Sequence, residues 1–192
     1  MSKTTLNLGS FGLADGNADK ILFFDDSAGG IGQLAASTNL TISGTNVTAT
    51  GGKILQVVAA TDNSQTDANS STFVDTGLSA AITPSSSSNK VLIIVHQNGL
   101  LKESSNNAGK LQLLRGSTNI CSFENDFGRT GDTSLSIVGG SGTAFLDSPS
   151  TTSETTYKTQ VATSVTNANK VTTGQNNCVA TITLMEISAW YN

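Results

Sequence analysis

Short apolar runs recur along residues 53–192, and glycine, asparagine, serine or proline separates each run from the next. The runs favour the two-residue period of a β-strand, and none of useful length shows the period of an amphipathic helix. The predicted strands are 53–60, 72–78, 80–83, 90–97, 110–115, 119–123, 134–138, 142–146, 157–165 and 178–189. This spacing predicts an all-β chain whose residues 53–192 form an antiparallel jelly-roll β-sandwich.

Residues 1–52 have a different pattern and are predicted to form an N-terminal arm, extended or folded into short hairpins. Their one dense apolar patch is Ile21, Leu22, Phe23 and Phe24, which lies between turn-rich stretches. Residues 40–43 and 46–49 alternate like two short strands, but they supply too little apolar surface for a separate core. We expect the patch to dock by strand addition onto a neighbouring protein or a sister arm, or else to pack back onto the jelly roll.

Two of the predicted strands are apolar on both faces. Residues 90–97 place Val91, Ile93 and Val95 on one face and Leu92 and Ile94 on the other. Residues 178–189 repeat this pattern. Such strands are predicted to be central in a sheet, or to be covered on the second face by another subunit.

Charge and hydropathy exclude several classes of partner. The net charge is −4, and the ten basic residues are scattered, so no cluster could neutralise a row of phosphates. No apolar run approaches the roughly 20 residues that span a bilayer. The first residues also lack the apolar core of a signal peptide. We expect a protein that folds in a cytoplasm, is not secreted, and binds neither nucleic acid nor membrane.

The chain has one histidine, His96, at the end of the most apolar predicted strand. A catalytic histidine needs a nucleophile and an orienting carboxylate, and no serine lies in a nucleophile-elbow motif. We expect a hydrogen-bonded histidine in the core or at a subunit interface. The sequence predicts no catalytic residue, no cofactor and no metal site.

Two pairs of carboxylates are the remaining candidates for chemistry: Asp25 with Asp26, and Glu124 with Asp126. Neither pair matches a calcium-loop motif, so solvated turn residues are the expected assignment. A calcium ligand at either pair stays a weaker alternative. Cys121 and Cys178 are expected to be buried free thiols, because a cytoplasmic product keeps its thiols reduced.

Several segments resemble proteins of bacteriophage particles. Residues 18–29, continuing to residues 40–45, resemble a stretch common in tail-fibre and other virion proteins of phages. Residues 71–84, running into residues 89–95, resemble a module frequent in phages of marine and freshwater bacteria. That module is similar to the jelly rolls of C1q and tumour necrosis factor, and residues 180–187 fit its last strand.

The resemblance implies a non-enzymatic virion protein that assembles as a homotrimer. The first expected role is a capsid decoration, or cement, protein that contacts the major capsid protein or another virion protein and bridges capsomers. The alternative role is a short tail or head fibre that binds a host glycan or protein. We expect Trp190 and Tyr191 to lie near a subunit contact together with His96, or else to cap the domain's own core.

Overall fold

The computed structural model describes residues 53–131, 136–165 and 169–189 and, within the first 52 residues, the backbone of four strands. The chain divides into two compact units, Met1–Gly52 and Lys53–Asn192. The strands are β1 (Lys20–Asp25), β2 (Gly30–Ala35), β3 (Leu40–Ser43), β4 (Asn46–Ala49), β5 (Ile54–Asp62), β6 (Thr66–Ala68), β7 (Val74–Ile82), β8 (Lys90–Lys102), β9 (Gly109–Arg115), β10 (Thr118–Phe127), β11 (Ser136–Asp147), β12 (Thr155–Thr163), β13 (Val171–Thr173) and β14 (Ala180–Ile187).

The first unit contains two antiparallel hairpins, β1 with β2 and β3 with β4. In the first hairpin, Phe23 lies opposite Gly32 and Phe24 lies opposite Ile31. The hairpins predicted for the arm are therefore present.

The second unit is a sandwich of two antiparallel sheets. One sheet has the order β10-β9-β12-β7. The other has the order β5-β14-β8, with β11 on the far side of β8, while β13 and β6 continue the positions of β14 and β5 along the second half of β8. If β5 with β6, and β13 with β14, are each counted as one interrupted strand, the unit has eight strands. In this count the sheet that contains β8 has the order first, eighth, third, sixth, and the other sheet has the order second, seventh, fourth, fifth. This is the jelly-roll arrangement, and the predicted fold is confirmed.

The core between the sheets consists of two apolar clusters. The larger includes Ile93, Leu113 and Tyr157, and the smaller includes Leu100 and Val161. Apolar side chains on the inward faces of strands from both sheets meet here and are removed from water, which is the main stabilising contribution to such a sandwich.

A hydrogen-bonded polar link joins the two sheets at the level between these clusters. Thr159 lies between Tyr157 and Val161 on the inward face of β12, and its hydroxyl donates to Gln97 Oε1 on β8 at 3.0 Å. Thr76 Oγ1 lies 2.6 Å from Thr159 Oγ1. All three polar side chains are buried, so the bonds between them offset the cost of removing them from water.

Some predicted strand boundaries are wrong. The predicted strands 72–78 and 80–83 belong to one strand, β7, and the described residues 136–138 and 142–146 belong to one strand, β11. In both strands a glycine with positive φ, Gly77 at 96° and Gly139 at 98°, lies beside a register shift. The chain therefore accommodates the irregularity as a bulge and continues the strand.

Candidate functional site

The outward side of the sheet β5-β14-β8-β11 carries an apolar row that crosses all four strands. Val57 pairs with Met185, Met185 pairs with Leu92, and Leu92 pairs with Leu146. Because directly opposed residues of adjacent strands lie on one side of a sheet, these four side chains are neighbours. The row ends at exposed positions, since Val57 is 57% exposed and Leu146 is 56% exposed.

The next row along the same side is small or apolar. Ala59 pairs with Thr183, Thr183 with Ile94, and Ile94 with Ala144. Ile94 is 42% exposed, and none of these residues carries a charge. We call the surface of these two rows the apolar face; its residues are Val57, Met185, Leu92, Leu146, Ala59, Thr183, Ile94 and Ala144.

The outward side of the other sheet carries a connected set of polar side chains instead. Gln160 Nε2 donates to Asp75 Oδ1 at 2.7 Å, and Gln112 Nε2 donates to Gln160 Oε1 at 2.8 Å. Asn119 Nδ2 donates to Gln112 Oε1 at 2.7 Å and to Ser122 Oγ at 3.2 Å. These bonds cross the four strands β7, β12, β9 and β10 and, with Lys158, form what we call the polar ladder.

One ion pair ends the polar ladder. Lys158 Nζ lies 2.8 Å from Asp75 Oδ2, and both side chains are partly exposed. Hydrogen bonds from Lys158 and then from Gln160 lower the pKa of Asp75, because they stabilise its charged form more than partial burial destabilises it. The polar groups of this side are thus paired with one another, and all but the buried Gln112 remain at least partly exposed.

His96 lies on the same side of the sheet as the apolar face, one row beyond Ile94. It pairs with Thr181 on β14 and with Gly142 on β11, and its side chain is exposed. Its imidazole lies against the backbone of Gly140 and Gly142, where any side chain would crowd it. The expectation of a core histidine is therefore wrong, since β8 continues past His96 to Lys102 and turns this side chain outward.

The strand positions that flank His96 supply no carboxylate to orient it. The residues beside it on β14 and β11 are Thr181 and Gly142, and neither is a carboxylate. Within the described residues, no group of three or more histidine, cysteine, aspartate or glutamate side chains could hold a metal ion. In those residues, too, no helix has the length and apolar character required to cross a membrane.

One buried carboxylate, Glu186, anchors the far end of β14. Gln56 Nε2 donates to its Oε2 at 2.6 Å, and Asn89 Nδ2 donates to its Oε1 at 2.6 Å. The amide and hydroxyl of Ser85 donate to Oε1 at 2.7 and 2.8 Å. Burial raises the pKa of Glu186, but these donors outweigh it and lower the pKa from 4.5 to about 2.

A second buried carboxylate links the two sheets. Asp147, at the end of β11, accepts from Arg115 Nη1 at 2.9 Å and from the Tyr157 hydroxyl at 2.7 Å. Burial, and then the bond to Asp147, raise the pKa of Tyr157 well above its ordinary value, because both disfavour the phenolate. Protein donors hold both carboxylates, Glu186 and Asp147, which is the arrangement of structural carboxylates.

The other predicted residues are placed as follows. The patch Ile21, Leu22, Phe23 and Phe24 lies in β1, and only its backbone is described. Three of the predicted residues lie outside the described residues: Asp26, Trp190 and Tyr191.

The carboxylates and cysteines of the second unit are also placed. Glu124 accepts from the Ser141 hydroxyl at 3.3 Å, and Asp126 pairs with Arg129 at 2.7 Å. Cys178 is exposed and Cys121 is partly buried, so the expectation of two buried thiols is wrong. Cys178 follows a 3-10 turn and precedes β14, outside the paired part of the sheet.

The sequence matches no protein-family model, and no curated protein is similar to it. Among solved structures, the chain is similar to VP2 of infectious bursal disease virus in a subviral particle, with a TM-score of 0.41, 12% identity, and coverage of 83% of this chain and 44% of that chain. It is also similar to the T13 viral particle of the same virus, with a TM-score of 0.38, 12% identity, and coverage of 82% and 42%. The chain spans less than half the length of these proteins.

Proposed function

We propose that this chain is a non-enzymatic structural protein of a bacteriophage particle, where it acts as a trimeric capsid decoration protein that bridges and stabilises capsomers. The observation that carries the proposal is the apolar face. It consists of eight uncharged outward positions on four adjacent strands, and its side chains at Val57, Ile94 and Leu146 are well exposed in the single chain. A contiguous exposed apolar surface of this kind is typical of a protein–protein interface.

The chemistry of the apolar face favours a protein partner. It has no basic side chain for phosphate. Its alanines and threonine, Ala59, Ala144 and Thr183, are short enough for a flat surface to approach closely. A second copy of the same face meets these requirements, since an uncharged surface incurs no like-charge repulsion with itself. The trimeric state comes from the resemblance to the jelly rolls of C1q and tumour necrosis factor.

The polar ladder supports an orientation of the protomer. Its side chains form a chain of mutual hydrogen bonds that ends in one ion pair, and the carboxylate of Asp75 remains partly exposed. Covering such a surface with an apolar partner would remove charged groups from water at a net cost. In the proposed assembly the apolar face therefore meets other copies and the polar ladder faces solvent.

The first unit supports the bridging role. Its hairpins have two strands each, and an isolated two-stranded hairpin is marginally stable in water. Docking of the Ile21–Phe24 patch onto the major capsid protein, another virion protein or a sister arm would supply the missing strand partners. An arm of about 50 residues can reach on the order of 160 Å when extended, which is enough to cross a subunit boundary.

A second candidate function is a short tail or head fibre whose jelly roll binds a host glycan or protein. The observation that favours it is the resemblance of residues 18–29 to tail-fibre proteins. In either role the protein belongs to the virion and is assembled in the host cytoplasm. No cofactor is needed for either role.

Two measurements test the proposal. Sedimentation equilibrium of the purified full chain is expected to give the trimer mass at micromolar concentration, and a monomer would contradict the self-association. Quantitative mass spectrometry of particles is expected to give hundreds of copies. A dozen or two copies, with capsids unaffected when the protein is missing, would instead support the fibre.

A variant that lacks residues 1–51 tests the arm. We expect it to keep its jelly roll, because the second unit is compact by itself, but to bind stripped particles less tightly than the full chain. Equal binding of the two proteins would contradict docking through the arm.

A further inference from the structure

His96 occupies a position from which it could report on pH. It is the one histidine of the chain, and histidine is the side chain whose ordinary titration, near pH 6.5, falls between about pH 5 and 8. Its side chain is exposed and lies on the same side of the sheet as the apolar face. Its charge can therefore change without any change in the fold of the single chain.

The groups that face His96 are uncharged. On β14 it faces Thr181, with Thr183 diagonally beside it, and on β11 it faces Gly142, with Gly140 and Ala144 on either side. On β8 itself the neighbours on the same side are Ile94 and Asn98.

Titratable groups lie farther away. The nearest along the chain before β14 is the thiol of Cys178. Lys90 lies on the same side of β8 as His96 but at the opposite end of the paired segment. No described carboxylate faces the imidazole to stabilise its charged form.

The interface proposed above would cover this histidine. His96 is four residues along β8 from Leu92, which is roughly 14 Å at the ordinary rise of a strand. A standard interface buries about 800 Å² on each partner, and a patch of that area centred on Leu92 has a radius of about 16 Å. Association through the apolar face therefore places the imidazole within the contact.

We propose that His96 makes self-association of the protein depend on pH. This inference rests on the proposed self-association through the apolar face. A neutral imidazole between Thr181 and Gly142 is compatible with an uncharged partner surface. An imidazolium there loses water without gaining a counter-ion and lies near the same charge on the other copies.

The direction follows from which state holds the proton. Histidine ordinarily takes up its proton near pH 6.5, and the proposed contact disfavours the charged form, so association is expected to be strong above this pH and to weaken below it. Each copy that must release a proton on association lowers the association constant by up to about tenfold per pH unit. For three copies the combined loss is up to about a thousandfold per unit.

The test is sedimentation equilibrium of the full chain near pH 8 and near pH 5.5, with a chelator present so that histidines are not bridged by metal. The wild type is expected to be assembled near pH 8 and to dissociate near pH 5.5. His96→Gln keeps a neutral polar side chain, and it is expected to stay assembled at both values. Circular dichroism at both values checks that the β-sandwich is intact, so that dissociation is not mistaken for unfolding.

The possible results separate this inference from the proposed function. A wild type that is equally assembled at both pH values overturns the inference and leaves the self-association in place. Dissociation of wild type and His96→Gln at the same pH also overturns it, because another group would then be responsible. A monomer near pH 8 overturns both the inference and the proposed self-association.

Discussion

The two sheets of the sandwich share a core but present opposite chemistries to the outside. On one, Val57, Met185, Leu92 and Leu146 form an apolar row across four strands. On the other sheet, outward side chains form the polar ladder and bond mainly to one another. A sheet that faces water is expected to alternate apolar and polar residues. The polar ladder follows this rule and the apolar face departs from it.

The apolar face is the side of the sandwich where large apolar residues are exposed to water. Threonine, serine, asparagine and glutamine are abundant in this sequence, and any of them could have occupied Val57 or Leu146 on an exposed strand. Retaining large apolar residues at such positions brings no benefit to an isolated chain, because they remain in water. The exposed apolar residues are therefore expected of a sheet that a partner covers, whereas the polar ladder is expected of a sheet that faces solvent.

The largest expected effect comes from placing a charge on the apolar face. Ile94→Glu changes a side chain that is 42% exposed, so the fold should tolerate it. It should weaken self-association by about 100-fold or more, because the carboxylate would lose its water in the contact. Sedimentation velocity over a range of concentrations measures the effect.

Ser79→Glu is the matched control for this prediction. It adds the same charge on the other sheet, where Ser79 lies opposite Lys158 and is exposed. The two variants should differ clearly in mass at micromolar concentration. If both remain assembled, the apolar face is not the contact; if both dissociate, the contact is not confined to it.

The next effect is on folding stability. Glu186 lies on the inward side of the sheet that carries the apolar face. It is fully buried and accepts four hydrogen bonds. Glu186→Gln replaces one oxygen with an amide that meets these donors, and we expect a loss of about 3 kcal/mol in the free energy of unfolding. Urea denaturation measures it. A loss below about 0.5 kcal/mol would show that the surrounding chain can repack.

The same carboxylate predicts a pH dependence. The pKa of Glu186 falls from 4.5 to about 2 in the folded protein, so its stabilising contribution is complete above the higher value. As the pH falls through the lower value, the proton binds the folded state and the contribution is lost. Denaturation curves of the wild type should therefore lose stability over this range more steeply than those of Glu186→Gln. Parallel curves would refute this assignment.

The polar ladder should be less sensitive. Gln160→Ala removes the amide that accepts from Gln112 and donates to Asp75. Asp75 is exposed and can bond to water instead, whereas Gln112 is buried but keeps its bond from Asn119. We expect a loss of about 0.5–1 kcal/mol, with the oligomer mass unchanged. A change in mass would mean that this sheet, too, is part of a contact.

The smallest effect is expected at the exposed end of the ladder. Lys158→Ala breaks the pair with Asp75, whose side chain is 54% exposed. Exposed ion pairs contribute a few tenths of a kcal/mol, and added salt screens them. Thermal melts in low and high salt should show a small difference between variant and wild type that disappears as salt is added. A difference that persists in high salt would point to lost packing by the lysine stem.

The sequence predicted the sandwich because its signals are local. Alternation along β12, with Tyr157 and Val161 inward and Lys158 and Gln160 outward, is visible in a window of a few residues and is confirmed. The double-faced pattern of β8 also predicted a central strand, and β8 lies between β14 and β11. The short strands β6 and β13 were missed, because three residues are too few to show a period.

The candidate site depended on information that local patterns lack. The polar ladder was not predicted, because Asp75, Gln112, Asn119 and Gln160 come from four strands and meet only through the registers of three strand pairs. The sequence predicts His96 at a strand end, in the core or at a subunit interface. Asn98 and Gly99 suggest a turn, but Asn98 and the buried Leu100 both pair with β11, and Gly99 is an unpaired residue between them.

The position of β14 also affects how the protein is made. This strand lies between β5 and β8, and Gln56 meets Glu186 across 130 positions of sequence. Such long-range pairing is slow, because a large loop must close before its contacts form. Until β14 has been synthesised and inserted, β5 and β8 have no strand between them and the apolar row does not exist. A partly made chain therefore cannot present the surface through which finished chains are proposed to associate.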